Sequence, residues 1–163
     1  MIILFIIMKY VAYTYDDEGV GDLYIYESND IQKVYASVFE KYFYEEFIQD
    51  IDTIAQLKSF ALYAQKTFGH TKQMFFDTIF EDYTELDFMT YGKMLNKKIS
   101  SVSDMVAAIT INSAHELTNE DIYKIIDKRR FCDGDSANGI VIYELNEDNF
   151  IKLKNNKKVK QAT

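Results

Sequence analysis

Apolar side chains recur at spacings of three and four residues between Ile31 and Phe47, and polar side chains occupy the opposite face. This period matches the turn of an α-helix, so the stretch is predicted to be an amphipathic helix with one face on a core. Ser28, Asn29 and Asp30 stand immediately before it and offer side-chain oxygens to its first free N–H groups. The helix therefore has both a predicted start and a predicted buried face.

Two further helices are predicted in the same aromatic-rich stretch, at about 52–68 and at about 71–83. Gly69 ends the first of them, because glycine tolerates the positive φ angle that closes many helices. Carboxylates crowd the end of the second helix and cover the faces that the aromatic side chains leave open.

Residues 86–98 fit either a short helix or an irregular packed segment, and both interpretations stay open. After them, a hydroxyl and a carboxylate stand three residues apart at Ser101 and again at Thr118. This spacing is typical of a helix start, so two more helices are predicted there.

Alternating apolar and aromatic side chains predict β-strands at residues 9–15 and 23–27. Between them, residues 16–22 contain two glycines and four carboxylates, which indicates an exposed turn and an antiparallel hairpin. A second turn at 133–139 leads to a strand at 140–145. Two strands, a run of helices and a final strand are typical of the α+β class. We expect a small, mainly antiparallel sheet, made of the N-terminal hairpin and a C-terminal strand and packed by about five helices.

The absence of proline and of any low-complexity linker predicts a single α+β domain over residues 1–153, followed by a flexible, lysine-rich tail at 154–163. Residues 1–8 are apolar but too few to span a membrane, and they lack the basic segment and cleavage site of a signal peptide. They either extend the first strand or precede a natural start at Met8. The single cysteine, Cys132, is expected to be a buried thiol, which suits a cytoplasmic protein.

The net charge of −8 is unevenly distributed along the chain. Residues 1–92 hold 16 Asp or Glu against 6 Lys, whereas residues 93–163 hold 10 acids against 12 Lys or Arg. Of the 13 tyrosines, 11 belong to the first part, and tyrosine combines apolar contact area with a hydrogen-bonding tip. An acidic, tyrosine-rich surface suits a basic protein groove better than nucleic acid or an anionic membrane.

Motifs of the common enzyme classes do not occur in this sequence. It contains no phosphate-binding loop, dinucleotide fingerprint, zinc-protease helix, Cys-x-x-Cys pair or serine-hydrolase elbow. The two histidines, His70 and His115, are far apart in sequence, although either imidazole can act as a general base near neutral pH. We therefore expect no catalytic residue, no cofactor and no metal site.

A compact acidic chain that is rich in Tyr and Phe and lacks a catalytic motif resembles the small accessory proteins through which phages and mobile elements disable host nucleases. Some of those proteins present carboxylates where a nuclease expects the phosphates of DNA. The resemblance is one of type and rests on no specific residue, so no functional position carries over. It implies an inhibitor or modulator of a basic, nucleic-acid-processing host protein, with DNA mimicry as one mode.

The leading hypothesis is a non-enzymatic protein whose acidic face docks on a basic protein partner. Electrostatic attraction would speed association, and exposed tyrosines would supply local packing. The predicted contact residues are the carboxylates of the hairpin turn and of two helix edges: Asp16, Asp17, Glu18, Asp22, Glu45, Glu46, Asp50, Asp52, Asp77, Glu81, Asp82, Glu85 and Asp87.

Two alternatives stay open. A small enzyme or ligand-binding domain would use His70 or His115 with nearby acids in a tyrosine-lined pocket. A regulatory domain would instead contact nucleic acid through the basic tail at 154–163, with an affinity that falls steeply as salt is added.

Overall fold

The computed structural model describes residues 8–16, 19–80, 85–130 and 139–145. Their three strands form one antiparallel sheet and their helices are separate from it in sequence, so the predicted α+β class is confirmed. Within these residues, no helix has the length and apolarity that a membrane crossing requires. The elements are β1 (Met8–Asp16), β2 (Gly19–Ser28), α1 (Ile31–Tyr42), a 3₁₀ helix (Phe47–Asp50), α2 (Ile54–Phe68), α3 (Lys72–Ile79), α4 (Glu85–Leu95), α5 (Val102–Ala108), α6 (Asn119–Arg130) and β3 (Gly139–Glu144).

The chain divides into two compact units. The first unit comprises Met1–Phe39 and Asn119–Thr163, and the second comprises Glu40–Thr118. Residues 1–7 and 146–163 lie outside the described residues. The single domain over 1–153, the tail at 154–163 and the place of residues 1–8 therefore stay predictions.

β1 is the central strand of the first unit's sheet, which has the order β2-β1-β3. The successive residues Tyr10, Val11 and Ala12 are all buried, so β1 is covered on both faces. Residues 140–142 of β3 are buried in the same way. Burial on both faces explains why β3 is a continuous apolar run rather than an alternating one.

The β1–β2 hairpin is longer than predicted and contains a bulge. β2 begins at Gly19, so the turn predicted at 16–22 was wrong in its extent. Gly21 and Asp22 of β2 together oppose the single residue Thr14 of β1. The Thr14 hydroxyl accepts a hydrogen bond from the Asp22 N–H at 3.0 Å, which satisfies a donor that the bulge removes from the ladder. A Cβ on Gly21 would lie 2.7 Å from Thr14 Oγ1, so this position favours glycine.

The part of α1 that belongs to the first unit contacts α6 through two pairs of side chains. The rings of Tyr35 and Tyr123 stack with their centroids 4.4 Å apart, and Asn119 Nδ2 donates to Gln32 Oε1 at 3.3 Å. α6 also contacts β3. At the start of α1, Asp30 Oδ1 accepts a hydrogen bond from the Gln32 N–H at 2.9 Å, so the predicted cap is confirmed.

Aromatic rings form the core of the second unit. In it α2 packs on α3, and α3 packs on α5. Lys72 extends from α3 and donates through Nζ to the Ile109 carbonyl oxygen at 2.6 Å, which satisfies an acceptor at the end of α5. The buried aromatic side chains of this unit include Phe43, Phe47, Phe60, Phe75, Phe76 and Phe80.

Capping interactions set several helix ends of the second unit. Thr53 Oγ1 accepts a hydrogen bond from the Gln56 N–H, and Gln56 Oε1 accepts one from the Thr53 N–H, which completes a capping box. Gly69 closes α2 in the left-handed region, at φ 67°, as predicted. Ser101 accepts from the Asp104 N–H at the start of α5, so that predicted helix start is confirmed.

α1 ends at Tyr42, whereas the apolar spacing predicted a helix as far as Phe47. Phe43 and Phe47 are nevertheless buried, because the chain continues through a turn and a 3₁₀ helix that still direct them into the core. A longer α1 would place Glu45 and Glu46 in its last turn, where the helix dipole disfavours negative charge. The spacing therefore predicted the burial of Phe43 and Phe47 correctly and their conformation incorrectly, and it was wrong for Ile31, which is 40% exposed at the start of α1.

The remaining differences concern α3 and α4. α3 ends at Ile79, before the predicted residue 83, and residues 81–84 lie outside the described part of the chain. α4 begins at Glu85 and ends at Leu95, so most of the segment 86–98, for which a helix and an irregular segment were both open, is helical. Cys132 lies outside the described residues, so its burial stays a prediction.

The chain that leaves α4 passes very close to that helix. The Lys97 N–H donates to the Gly92 carbonyl oxygen at 2.9 Å, and Asn96 reverses the chain with a positive φ of 52°. A Cβ on the buried Gly92 would lie 2.7 Å from the Lys97 carbonyl oxygen. Backbone, unlike a flexible side chain, has little freedom to move away.

Replacing Gly92 by Ala is expected to lower the free energy of unfolding by about 1–3 kcal/mol, because the new methyl group would overlap the backbone of Lys97. In an open helix the same change raises it by up to about 1 kcal/mol. Met89→Ala, at an exposed position of the same helix, is the matched control. Urea unfolding followed by circular dichroism measures both, and a Gly92→Ala protein as stable as its parent would contradict the close approach.

Candidate partner-binding surfaces

The carboxylates predicted to form one acidic face are divided between the two units. The hairpin of the first unit carries Asp16 and Asp22. Outside the described residues are Asp17, Glu18, Glu81 and Asp82, together with the side chains of Asp16, Glu85 and Asp87. The second unit carries Glu45, Glu46, Asp50, Asp52 and Asp77. The structure thus places four of the predicted carboxylates, those between residues 45 and 52, on one short segment.

We call residues 44–53 the acidic loop. Glu45 and Asp52 are exposed, and Glu46 and Asp50 are half-buried. No Lys or Arg occurs between Lys41 and Lys58, so this part of the sequence adds no positive charge of its own. The loop is therefore a local concentration of negative charge. Asp77 is exposed on α3, where its Oδ1 accepts a hydrogen bond from Gln73 at 2.8 Å.

Buried aromatic side chains anchor the acidic loop at two points. Phe47 is buried within the loop, and Phe43 is buried just before it. The Phe43 ring lies 5.3 Å from that of Phe60 and 5.0 Å from that of Tyr63, measured between centroids. Burial of side chains of this size holds the backbone between them in place.

Hydrogen bonds fix the path of the loop between its anchors. The Ile48 N–H donates to the Phe43 carbonyl oxygen at 3.1 Å, and Gln49 Nε2 donates to the Glu45 carbonyl oxygen at 3.1 Å. At the far end, Gln56 Oε1 accepts from the Asp52 N–H at 2.8 Å. The carboxylates are consequently carried by an ordered backbone rather than by a loose connection.

Tyr44 and His70 form a polar contact inside the second unit. Tyr44 Oη lies 2.7 Å from His70 Nδ1, and the ring of Phe68 lies 5.3 Å from the imidazole. Burial raises the pKa of Tyr44 to about 12, so its hydroxyl stays protonated and can donate to Nδ1 of the imidazole tautomer that carries its proton on Nε2. The contact joins the acidic loop to the segment between α2 and α3. Tyr44 and Phe68 also surround His70 with aromatic rings, which is one feature of the tyrosine-lined pocket that the ligand-binding alternative predicts.

Burial also raises the pKa of Tyr63, with Glu40 as a minor contributor and the Thr67 side chain opposing. His115 is exposed and precedes α6. Within the described residues, no three metal-ligating side chains come together.

No protein family, functionally described protein or solved structure matches this chain. Its function therefore has to be inferred from its own surfaces.

β2 is a second exposed surface, and the prediction of contact residues did not include its apolar side chains. Leu23, Tyr24 and Ile25 are 40%, 38% and 58% exposed. These residues follow one another, so they project from both faces of the strand. Exposed carboxylates flank them at Asp22 and at Glu27, which forms an ion pair with Lys9 at 3.6 Å. The available signal was the run from 23 to 26, which is apolar or aromatic without the polar alternation of a strand that has one wet face.

An open groove of about 490 Å³ lies at the C-terminal end of α4. It is lined in part by Lys93, Lys97 and Lys98, and neither histidine belongs to it. Positive side chains near a helix C-terminus are stabilised by the helix dipole, which accounts for these lysines without a ligand.

Replacing Tyr44 by Phe is expected to change how stability depends on pH. Tyrosine in an unfolded chain loses its proton near pH 10, whereas Tyr44 in the folded protein retains it to about pH 12. The folded state therefore binds more protons between these values, and stability that is present below pH 10 is lost as the pH rises through this window. Tyr44→Phe removes the hydrogen bond at pH 8 and also removes this alkaline loss.

The parent should consequently exceed Tyr44→Phe in stability by about 1 kcal/mol at pH 8, and by less at pH 11. Urea unfolding at the two pH values measures the difference. His70→Ala removes the same hydrogen bond but keeps the tyrosine, so it should retain the alkaline loss. A gap between parent and Tyr44→Phe that is equal at both pH values would contradict the proposed protonation of Tyr44.

Proposed function

We propose that this protein is a non-enzymatic binding protein that inhibits or modulates a basic, nucleic-acid-processing protein. The observation that carries the proposal is the acidic loop, in which four carboxylates stand within eight residues on an ordered, aromatic-anchored backbone. The overall charge of −8 has the same sign. A protein that binds nucleic acid presents Lys and Arg where it contacts phosphates. The carboxylates of the acidic loop are negative charges at fixed positions, and such a basic surface would attract them.

The order of the loop is what distinguishes it from a solvated acidic segment. A mobile segment loses conformational entropy when it binds, and this loss offsets part of the electrostatic gain. Here Phe43, Phe47 and the Tyr44–His70 hydrogen bond already restrict the backbone in the free protein. The loop can therefore bind with a smaller entropy loss, while its charge raises the rate of encounter with a basic partner.

The second candidate is a ligand-binding domain around Tyr44 and His70, favoured by their 2.7 Å contact within an aromatic cluster. It predicts that a small molecule copurifies with the protein and is lost in His70→Ala. The binding-protein proposal predicts that His70→Ala still captures the same basic protein. Its affinity should fall only because the acidic loop loses the hydrogen bond between Tyr44 and His70 and becomes less ordered.

The proposal is tested by affinity capture from a lysate of the natural host with tagged protein, after nuclease treatment, at low and at high salt. We expect a basic protein that is held at low salt and released at high salt. The deciding variant replaces Glu45 and Glu46 by Gln and Asp50 and Asp52 by Asn. It should bind the purified target about tenfold more weakly, with a shallower dependence on salt, because close charge pairs across the interface are lost.

A control with the same change of charge replaces Glu116, Glu120 and Glu144 by Gln and Asp127 by Asn; of these, Glu116 and Glu120 form exposed ion pairs with Lys66 and Lys124. It has the same net charge as the loop variant but keeps the acidic loop intact. Equal affinities of the two variants would show that total charge, and not this loop, drives the capture. Retention of a small molecule with no protein partner would overturn the proposal.

A further inference from the structure

We propose that β2 is a docking edge, on which an extended basic segment of the partner adds as a further strand of the sheet. This rests on the proposed function, because it names the form in which a basic partner binds. It concerns a different surface from the acidic loop, namely residues 22–27 in the first unit.

The position of β2 in the sheet supplies the backbone groups for such a contact. In the order β2-β1-β3, β1 pairs on both sides and β2 pairs on one side among the described residues. In an antiparallel pair, alternate residues direct N–H and C=O groups away from the neighbouring strand. An edge strand therefore offers hydrogen bonds to an incoming extended chain, as in recognition by strand addition.

The side chains of β2 supply the apolar area. Leu23 and Ile25 project from one face and Tyr24 from the other, and each is more than a third exposed. Their partners on β1 are better covered, since Ala12 pairs with Tyr24 and Val11 with Ile25, and both are buried. A strand added beyond β2 would place side chains against these residues on both faces of the sheet.

Within its flat part, residues 23–26, β2 carries none of the charged side chains or prolines that protect many sheet edges. It contains no Lys, Arg or Pro. Its flat part is bounded at one end by the bulge at Gly21 and Asp22 and at the other by Glu27. Four residues between these limits, 23–26, are left for pairing, a length of about 13 Å at the rise of an antiparallel strand.

The carboxylates of Asp22 and Glu27, at the two ends of the flat part of β2, indicate which kind of strand would dock there. Antiparallel pairing of residues 23–26 with the same residues of a second copy would place Asp22 of one chain opposite Glu27 of the other, twice. Like charges directly opposite each other destabilise a sheet, so a second copy is disfavoured. A segment with Lys or Arg at two positions five residues apart, and with β-branched or aromatic residues between them, would instead match Asp22 and would share Glu27 with Lys9, whose exposed ion pair at 3.6 Å is weak.

The test titrates ¹⁵N-labelled protein with the peptide acetyl-Thr-Lys-Val-Thr-Ile-Val-Lys-Thr-amide, in which the two lysines have this spacing. Amide resonances of residues 23–26 should shift in a saturable way, with a dissociation constant roughly in the millimolar range for so short a strand. Two control peptides, one with Glu at both Lys positions and one N-methylated at alternate backbone nitrogens, should bind at least about tenfold more weakly. No shift at 5 mM peptide, or equal binding of all three peptides, would overturn the proposal.

The variant Ile25→Lys places a positive charge on the exposed edge and should abolish the shifts caused by the lysine peptide. Met74→Lys makes the same charge change at another exposed apolar side chain and should leave them unchanged. Sedimentation of the free protein at 10 and 500 μM provides a further check. A dimer that Ile25→Lys dissociates would assign the edge to a second copy and overturn the proposal.

The two proposals fail in different ways. If the purified target still binds Ile25→Lys at full affinity but binds the acidic-loop variant poorly, the proposed function holds and docking on β2 is overturned. If the acidic-loop variant binds normally while Ile25→Lys does not, docking on β2 holds and the acidic loop is removed from the function.

Discussion

Aromatic packing around Phe43 is the interaction on which the second unit depends. Its ring contacts those of Tyr44, Tyr63 and Phe75, and also those of Phe60 and Phe68, so five side chains from three parts of the chain meet at one residue. Burying a phenylalanine contributes on the order of 1.5–3 kcal/mol. Repulsion between exposed carboxylates costs a few tenths of a kcal/mol per pair. The burial of Phe43 and Phe47 together therefore outweighs the repulsion among the carboxylates of the acidic loop, which explains how the unit holds four negative charges there.

Local signals in the sequence predicted the elements whose ends are set by side-chain chemistry. The end of α2 is a clear case, because Gly69 closes it by a local interaction; its start was predicted from apolar spacing alone, and the capping box of Thr53 and Gln56 accounts for it. The end of α1 could not be predicted in this way. Phe47 keeps the apolar spacing of the helix but is buried from a 3₁₀ helix, so periodicity reported burial and not conformation.

The candidate surfaces were predictable only in part, for a related reason. Glu45 to Asp52 are close in sequence, so their proximity in space needed no knowledge of the fold. Asp22 was grouped with them by charge, yet it belongs to a strand of the other unit. The exposure of Ile25 was not predictable, because an apolar strand residue is normally buried, and its position on an edge depends on which strand pairs with β1. The charges of a segment can be read from its sequence, whereas the order of strands in a sheet depends on how the whole chain folds.

The Thr14 hydroxyl has a consequence for the behaviour of this protein at high concentration. By accepting the Asp22 N–H, it stabilises the bulge that ends the flat part of β2. The remaining run, residues 23–26, is shorter than the six or seven residues with which identical strands stack into cross-β fibrils. Through this bulge, Thr14 limits the length of the open apolar edge of β2. The edge is long enough to accept a single short strand but too short to seed amyloid.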